Sequence, residues 1–240
     1  MRSFIIFGQG RSGSKLLVHL LKSHPQIQCD GEILGKRNWR GAKKLPYWLV
    51  RRYPVPYILW KAERCTYDVY GFKLFVHHIT EASRTIHAVL ARDWQIVHIQ
   101  RRNLFDQAVS RAVASTTMHW GGFQRLKDPD TTYLTIPPER VLVIAQEYVK
   151  NRQRILQVLA SVPYLTVTYE DDLLDEASRN RSCGAIFQAL GVEQRPVSST
   201  TQRSWNRPYS ELIANYSELL DLMETSEAQA LQAEWRRLFD

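Results

Sequence analysis

An apolar run, Phe4-Ile5-Ile6-Phe7, breaks directly into Gly8-Gln9-Gly10-Arg11-Ser12-Gly13, and an amphipathic pattern begins at Ser14. A strand that enters a glycine turn and leaves as a helix opens an α/β unit, and it restricts the chain to folds that place such a turn at a sheet edge. The same turn is built for an anion. The backbone N–H groups of a glycine-rich loop and the positive end of a helix both favour a phosphate-like group, and Arg11 adds a permanent charge with a planar donor fork.

Three glycine-loop patterns compete for this segment. Gly8, Gly10 and Gly13 fit G-x-G-x-x-G, and Asp30 lies where a dinucleotide fold places its ribose carboxylate. The variable positions, however, are the polar and charged Gln9, Arg11 and Ser12, and Ile27-Gln28-Cys29 makes a poor second strand. An ATP-binding loop, G-x-x-x-x-G-K-[ST], would need lysine straight after Gly13, whereas the chain reads Ser14-Lys15-Leu16. Lysine is one place late and the magnesium-binding hydroxyl is missing.

A second motif lies downstream. The apolar run Ile96-Val97-His98-Ile99 leads into Arg102-Asn103-Leu104-Phe105-Asp106-Gln107-Ala108-Val109-Ser110, in which Phe105, Val109 and Val113 recur at helical spacing. Arg102 ends a strand, and Ser110 falls about two turns into the helix that follows. Together, Arg11-Ser12-Gly13-Ser14 and this Arg-x7-Ser pair resemble the donor site of sulfotransferases, most closely the bacterial and carbohydrate-type enzymes. Tyr169-Glu170-Asp171-Asp172-Leu173, after another strand, extends the resemblance over most of the chain.

The resemblance implies an α/β fold, a single P-loop-like domain over residues 1–240, with a central parallel sheet of about five strands flanked by helices. It implies 3′-phosphoadenosine 5′-phosphosulfate as donor and no metal. The 5′-phosphosulfate would be met by Arg11, Ser12, Gly13, Ser14 and Lys15, and the 3′-phosphate by Arg102 and Ser110. It implies Glu32, in Asp30-Gly31-Glu32-Ile33-Leu34, as the base that deprotonates an acceptor hydroxyl, with Arg11 stabilising the leaving phosphate. A histidine, His77 or His78 after Gly71-Phe72-Lys73-Leu74-Phe75, is the alternative base used elsewhere in the family. Lys73 reads either as a site residue near the sulfate or as a snorkelling side chain.

The sequence departs from the family pattern in three places. Lys15 stands where a hydroxyl commonly helps, Gln9-Gly10 replaces Thr/Ser-Pro, and no glycine follows Gly191 to build the later donor loop. The last role falls to the segment 199–209, with Arg203 as its donor contact.

Charge is concentrated at the start of the chain. Residues 1–60 hold eleven Lys/Arg against Asp30 and Glu32 alone, while the whole chain sums to +8. Such an excess steers a polyanionic donor or an acidic acceptor. Lys36, Arg37, Arg40, Lys43, Lys44, Arg51 and Arg52 alternate with Trp39, Tyr47, Trp48 and Tyr53, a pattern open to a recognition surface, a membrane surface or a solvated flap. No nucleic-acid-binding motif accompanies it, so no nucleic-acid partner is expected. The acceptor reads as a small molecule, carbohydrate or lipid, with the hydroxyl favoured over the amine. A P-loop kinase-like phosphotransferase and a non-catalytic nucleotide- or nucleic-acid-binding module are the rival readings.

No apolar run approaches the ~20 residues needed to cross a bilayer, and the opening residues are too short a stretch for a signal peptide, so a cytoplasmic location is expected. Cys29, Cys65 and Cys183 are odd in number and far apart, which fits neither a disulfide framework nor a zinc site. Strands are expected near 3–7, 27–29, 70–75, 95–100 and 164–169. Helices are expected near 14–23, 80–92, 103–117, 138–160, 172–190, 209–222 and 226–238, with irregular stretches over 36–64 and 118–138.

Overall fold

The computed structural model describes residues 2–35, 46–118, 133–199 and 208–239, and these fall into two compact units. The larger comprises residues 1–101 and 153–199 and contains the whole sheet. Its strands are β1 (Arg2–Gly8), β2 (Ile27–Asp30), β3 (Val69–Phe75), β4 (Trp94–Gln100) and β5 (Leu165–Thr168). They run parallel in the order β2-β3-β1-β4-β5. The five parallel strands with flanking helices are the α/β class that the sequence implies.

The partition of side chains explains why β1 is central. Ile5 and Phe7 enter one buried cluster while Phe4 and Ile6 enter another, so the strand is apolar on both faces, as an interior parallel strand must be. Helix α1 (Ser14–Lys22) and helix α8 (Glu176–Leu190) supply Leu17, Leu21, Ile186 and Phe187 to the Phe4 side. Helices α3 (Pro54–Glu63) and α4 (Ala82–Leu90) supply Ile58, Ala62, Ile86 and Val89 to the Ile5 side. Gly71 is required where it stands, because a Cβ there would lie 2.2 Å from the Phe4 ring.

Register then sets the position of the loops. Gly8 pairs with Phe75 and with Ile99, and Gln100 with Thr168, so the carboxyl ends of β1, β3, β4 and β5 lie along one edge. The chain visits β2 and β3 on one side of β1 before crossing to β4 and β5 on the other. Ligands of open α/β sheets bind outside the carboxyl ends at such a reversal.

The second unit comprises residues 102–152 and 200–240. It contains α5 (Leu104–Thr116), most of α6 (Pro138–Leu159), α9 (Tyr209–Leu212), α10 (Tyr216–Glu224) and α11 (Ser226–Arg237). These pack on a core of Leu104, Phe105, Val113, Tyr148, Leu219 and Trp235. Asn215 ties the 134–136 segment down by accepting from the Ile136 N–H at 3.0 Å and donating to the Ile136 carbonyl at 2.9 Å.

Three expectations need correction. The stretch 36–64 is not irregular where it is described: α2 (Tyr47–Arg52) and α3 occupy it. Prolines 54 and 56 sit in the first turn of α3, where no intrahelical N–H is needed, so they start a helix instead of breaking one. The single helix expected over 172–190 is a short α7 (Tyr169–Asp172) followed by α8, whose Asp175 N-cap accepts from the Ser178 N–H at 2.8 Å. The helix expected over 209–222 is likewise interrupted between α9 and α10. Residues 36–45 and 119–132 lie outside the described residues, and the readings placed on Lys36, Arg37, Trp39, Arg40, Lys43 and Lys44 fall there.

Candidate anion site and its neighbouring carboxylate

The loop between β1 and α1 is a forced shape. Arg11 has φ 62° and Gly13 φ 84°, both left-handed, and Gly13 is the N-cap of α1 without any side-chain cap. A Cβ at Gly13 would lie 2.5 Å from Tyr169 Cδ2, so both the dihedral and the close approach demand glycine. Ser12 is fully buried and its hydroxyl donates to the Gln9 carbonyl at 2.8 Å. It therefore closes the loop, and its side chain does not face outward as a ligand contact would. The first-turn N–H groups of α1, from Ser14 and Lys15 onward, stand at the positive end of the helix.

Arg101 supports the loop from β4. Its Nη1 donates to the Arg11 carbonyl at 3.4 Å, its Nε lies 3.6 Å from Glu170 Oε1, and its guanidinium lies 4.8 Å from the centre of the Tyr169 ring. Tyr169 in turn is the residue packed against Gly13. The sequence assigned Arg101 no role. The signal lay in Tyr169-Glu170 at the carboxyl end of β5, where an acid and a ring at a sheet edge call for a cation.

Glu32 sits on a turn just past β2 that is tied to β3: the Ile33 N–H and the Lys73 N–H both reach the Gly31 carbonyl, at 3.0 and 3.2 Å. Its carboxylate is gripped at both oxygens. Lys73 Nζ lies 2.8 Å from Oε1 and His78 Nε2 lies 3.5 Å from Oε2. Burial acts to raise the Glu32 pKa, but the His78 hydrogen bond and the Lys73 ammonium outweigh it and hold the carboxyl down at about 2. Lys73 is nearly buried inside β3, so the carboxylate is also what allows an ammonium to remain there.

Lys73 links this carboxylate to the loop. Burial lowers the Lys15 pKa, and the charges of Lys73 and Arg11 lower it further. His19, one turn along α1, is lowered by burial and then by Lys15, Lys22 and Lys73. Lys73 and Arg11 thus each repel Lys15, a repulsion that an anionic group beside Lys15 would relieve.

The remaining sequence-predicted residues are distributed as follows. Arg102 and Ser110 both belong to the helical unit, Arg102 exposed with its carbonyl accepting from the Trp235 indole at 2.7 Å, and Ser110 buried on α5. Arg203 lies outside the described residues. His98 is packed inside β4, its Nδ1 3.1 Å from the Phe7 carbonyl. His77 is exposed beside His78 in the single turn that follows β3. Asp30, the carboxylate of the dinucleotide reading, is engaged by Lys61 at 3.0 Å and by the Tyr70 hydroxyl at 3.2 Å. Among the described residues, no three His, Cys, Asp or Glu side chains cluster as metal ligands, and no helix is long and apolar enough to cross a membrane.

No family model matches the sequence, and no curated protein matches it. Solved structures do match. A sulfotransferase from Alicyclobacillus acidocaldarius aligns with a TM-score of 0.51 over 99% of this chain and 99% of its own, at 15% identity. The sulfotransferase domain from the curacin biosynthetic pathway aligns with a TM-score of 0.52 over 98% of this chain and 97% of its own, at 14% identity. Identity this low places the likeness in the course of the backbone, and in that course the chain has the sulfotransferase fold.

Proposed function

We propose that the protein is a sulfotransferase that moves a sulfuryl group from 3′-phosphoadenosine 5′-phosphosulfate to a hydroxyl of a carbohydrate, lipid or other small acceptor. The observation that carries the reading is the Glu32–Lys73 pair: a carboxylate base beside a buried ammonium that is itself electrostatically coupled to Lys15 of the anion loop. In this reading the pair would bring proton acceptance and anion stabilisation, the two tasks this transfer requires, into one neighbourhood.

In the proposed step the acceptor O–H gives its proton to Glu32 as its oxygen attacks sulfur in line. The S–O bond to the 5′-phosphate breaks, and its electron pair passes to the phosphate oxygen. Arg11 and the N–H groups at the start of α1 stabilise the charge that develops there, while Lys73 faces the transferring group. The 3′-phosphate is assigned to Arg102 and Ser110 on their Arg-x7-Ser spacing, and Arg203 to the far side of the donor. A carboxylate held at about 2 is a weak base while Lys73 and His78 both hold it. An arriving sulfonate shares the Lys73 charge and so strengthens Glu32 at the moment it is needed.

The test is transfer from sulfur-labelled donor to a panel of mono- and disaccharides, octyl glucoside and fatty alcohols. Glu32→Gln keeps the shape but not proton acceptance, and is expected to lower turnover ~10²–10⁴-fold with donor still bound. Turnover within a few-fold of wild type would remove Glu32 as the base.

A further inference from the structure

Of the ten large hydrophobic side chains exposed among the described residues, four are aromatic and lie between Trp48 and Tyr67. Single exposed apolar residues are ordinary, whereas a cluster of rings marks a surface that meets something. Helices α2 and α3 turn Val50, Ile58 and Ala62 into the same buried cluster as Ile5 and Phe72, so both lie against one side of the sheet and share one outer surface. On that surface stand Trp48, 67% exposed, Tyr53, 50% exposed, and Trp60, 45% exposed, interleaved with the exposed Arg51, Arg52 and Arg64. From Pro46 to Arg64 the chain carries four cations, Arg51, Arg52, Lys61 and Arg64, against Glu63 alone. Arg52 and Lys61 also meet Glu81 and Asp30 from other elements.

We propose that the outer surface of α2 and α3 docks on an anionic lipid membrane. Tryptophan and tyrosine suit the boundary between headgroups and acyl chains, where an apolar ring with a polar edge is satisfied on both sides. Each arginine close to anionic headgroups adds about fivefold to partitioning. A nucleic acid would also meet the arginines, but stacking its bases needs open ring faces. The Trp60 ring is already stacked by Tyr57, with ring centres 5.7 Å apart, and Arg64 lies 4.2 Å from its centre. The docking surface is fastened to the segment that carries Glu32. The Tyr47 hydroxyl donates to the Leu34 carbonyl at 3.3 Å, and Lys61 holds Asp30 at 3.0 Å. Docking therefore brings residues 30–34 close to the lipid, and among the proposed acceptors it favours a lipid one.

The test is co-sedimentation of the full chain with vesicles of phosphatidylcholine alone and of phosphatidylcholine with ~30% phosphatidylserine. Binding to the anionic vesicles is expected to be at least ~10-fold tighter, to weaken in high salt, and to fall at least ~10-fold in the double variant Trp48→Ala/Trp60→Ala. Brominated phosphatidylcholine in the anionic vesicles should quench wild-type tryptophan fluorescence. Trp48→Phe/Trp60→Phe, which keeps a ring at each place, should lose most of that quenching. No binding, equal affinity for the two vesicles, or binding that the alanine pair leaves unchanged overturns the proposal. Quenching that the phenylalanine pair leaves unchanged does so too, as does displacement from the vesicles by a single-stranded oligonucleotide at equal charge concentration. None of these readouts involves sulfuryl transfer, so the docking surface and the proposed function fail separately.

Discussion

Glu32→Gln carries a stability consequence separate from its effect on transfer, and its size follows from the site. The Glu32 carboxyl, ordinarily near 4.5, is held at about 2 in the folded protein: burial opposes ionisation, and the His78 hydrogen bond and the Lys73 charge overcome it. A depression of that size corresponds to ~3 kcal/mol before screening. The side chain is 34% exposed, so solvent screening reduces the contribution to about 1–2 kcal/mol. The sign is fixed by the direction of the shift. A carboxyl with a lowered folded value stabilises the protein above its unfolded value, and this stabilisation fades as pH falls from about 4.5 toward about 2. At pH 7 Glu32→Gln is therefore expected to lower Tm by ~2–8 °C, because a chain of this length shifts by ~2–4 °C per kcal/mol. The gap should shrink through pH 4 and 3, and the two proteins should converge as pH approaches about 2. Thermal melts of both across pH 2 to 7 measure the gap. A variant as stable as wild type at pH 7, or a gap that is the same at every pH, would refute the claim that Lys73 and His78 hold Glu32 ionised.

Gly13→Ala must adopt φ 84° and bring its methyl group 2.5 Å from Tyr169, so affinity for adenosine 3′,5′-bisphosphate should fall at least ~10-fold by calorimetry, with a lowered Tm. Arg102→Ala should erase most of the preference for adenosine 3′,5′-bisphosphate over AMP, a loss of ~1.5–3 kcal/mol on the bisphosphate alone, read by paired titrations. Transfer should persist in EDTA, since Arg11, Lys15 and Lys73 supply the positive charge. A requirement for added magnesium in the turnover assay would favour the kinase-like reading.

The sheet was legible in the sequence because each strand is a short apolar run, and the register of five such strands leaves their carboxyl ends together. The anion loop was legible for a similar reason: glycine, arginine and a following amphipathic helix are local signals. What the sequence concealed is non-local. The strand expected near 27–29 is present as β2, but the contacts that engage its Asp30, from Lys61 and Tyr70, come from two other elements that the sequence does not place beside it. Lys73 read ambiguously because its partner, Glu32, lies on a neighbouring strand's turn, 41 positions earlier in the chain. The contacts of His78 with the Phe75 N–H and with Glu32 were hidden in the same way, since the turn after β3 and a position 46 residues earlier bring them together. Proline punctuation misled over 36–64, since first-turn prolines and helix-breaking prolines look alike without the capping geometry.

The most direct measurement is calorimetric titration of the wild-type protein with adenosine 3′,5′-bisphosphate, AMP, ATP and NAD in metal-free buffer. The bisphosphate is expected to bind at least ~10-fold more tightly than AMP and more tightly than ATP or NAD, because in the proposed function it alone would combine a 5′-phosphate for the Arg11 loop with a 3′-phosphate for Arg102 and Ser110. Equal affinity for the bisphosphate and AMP, or a preference for ATP or NAD, would contradict it.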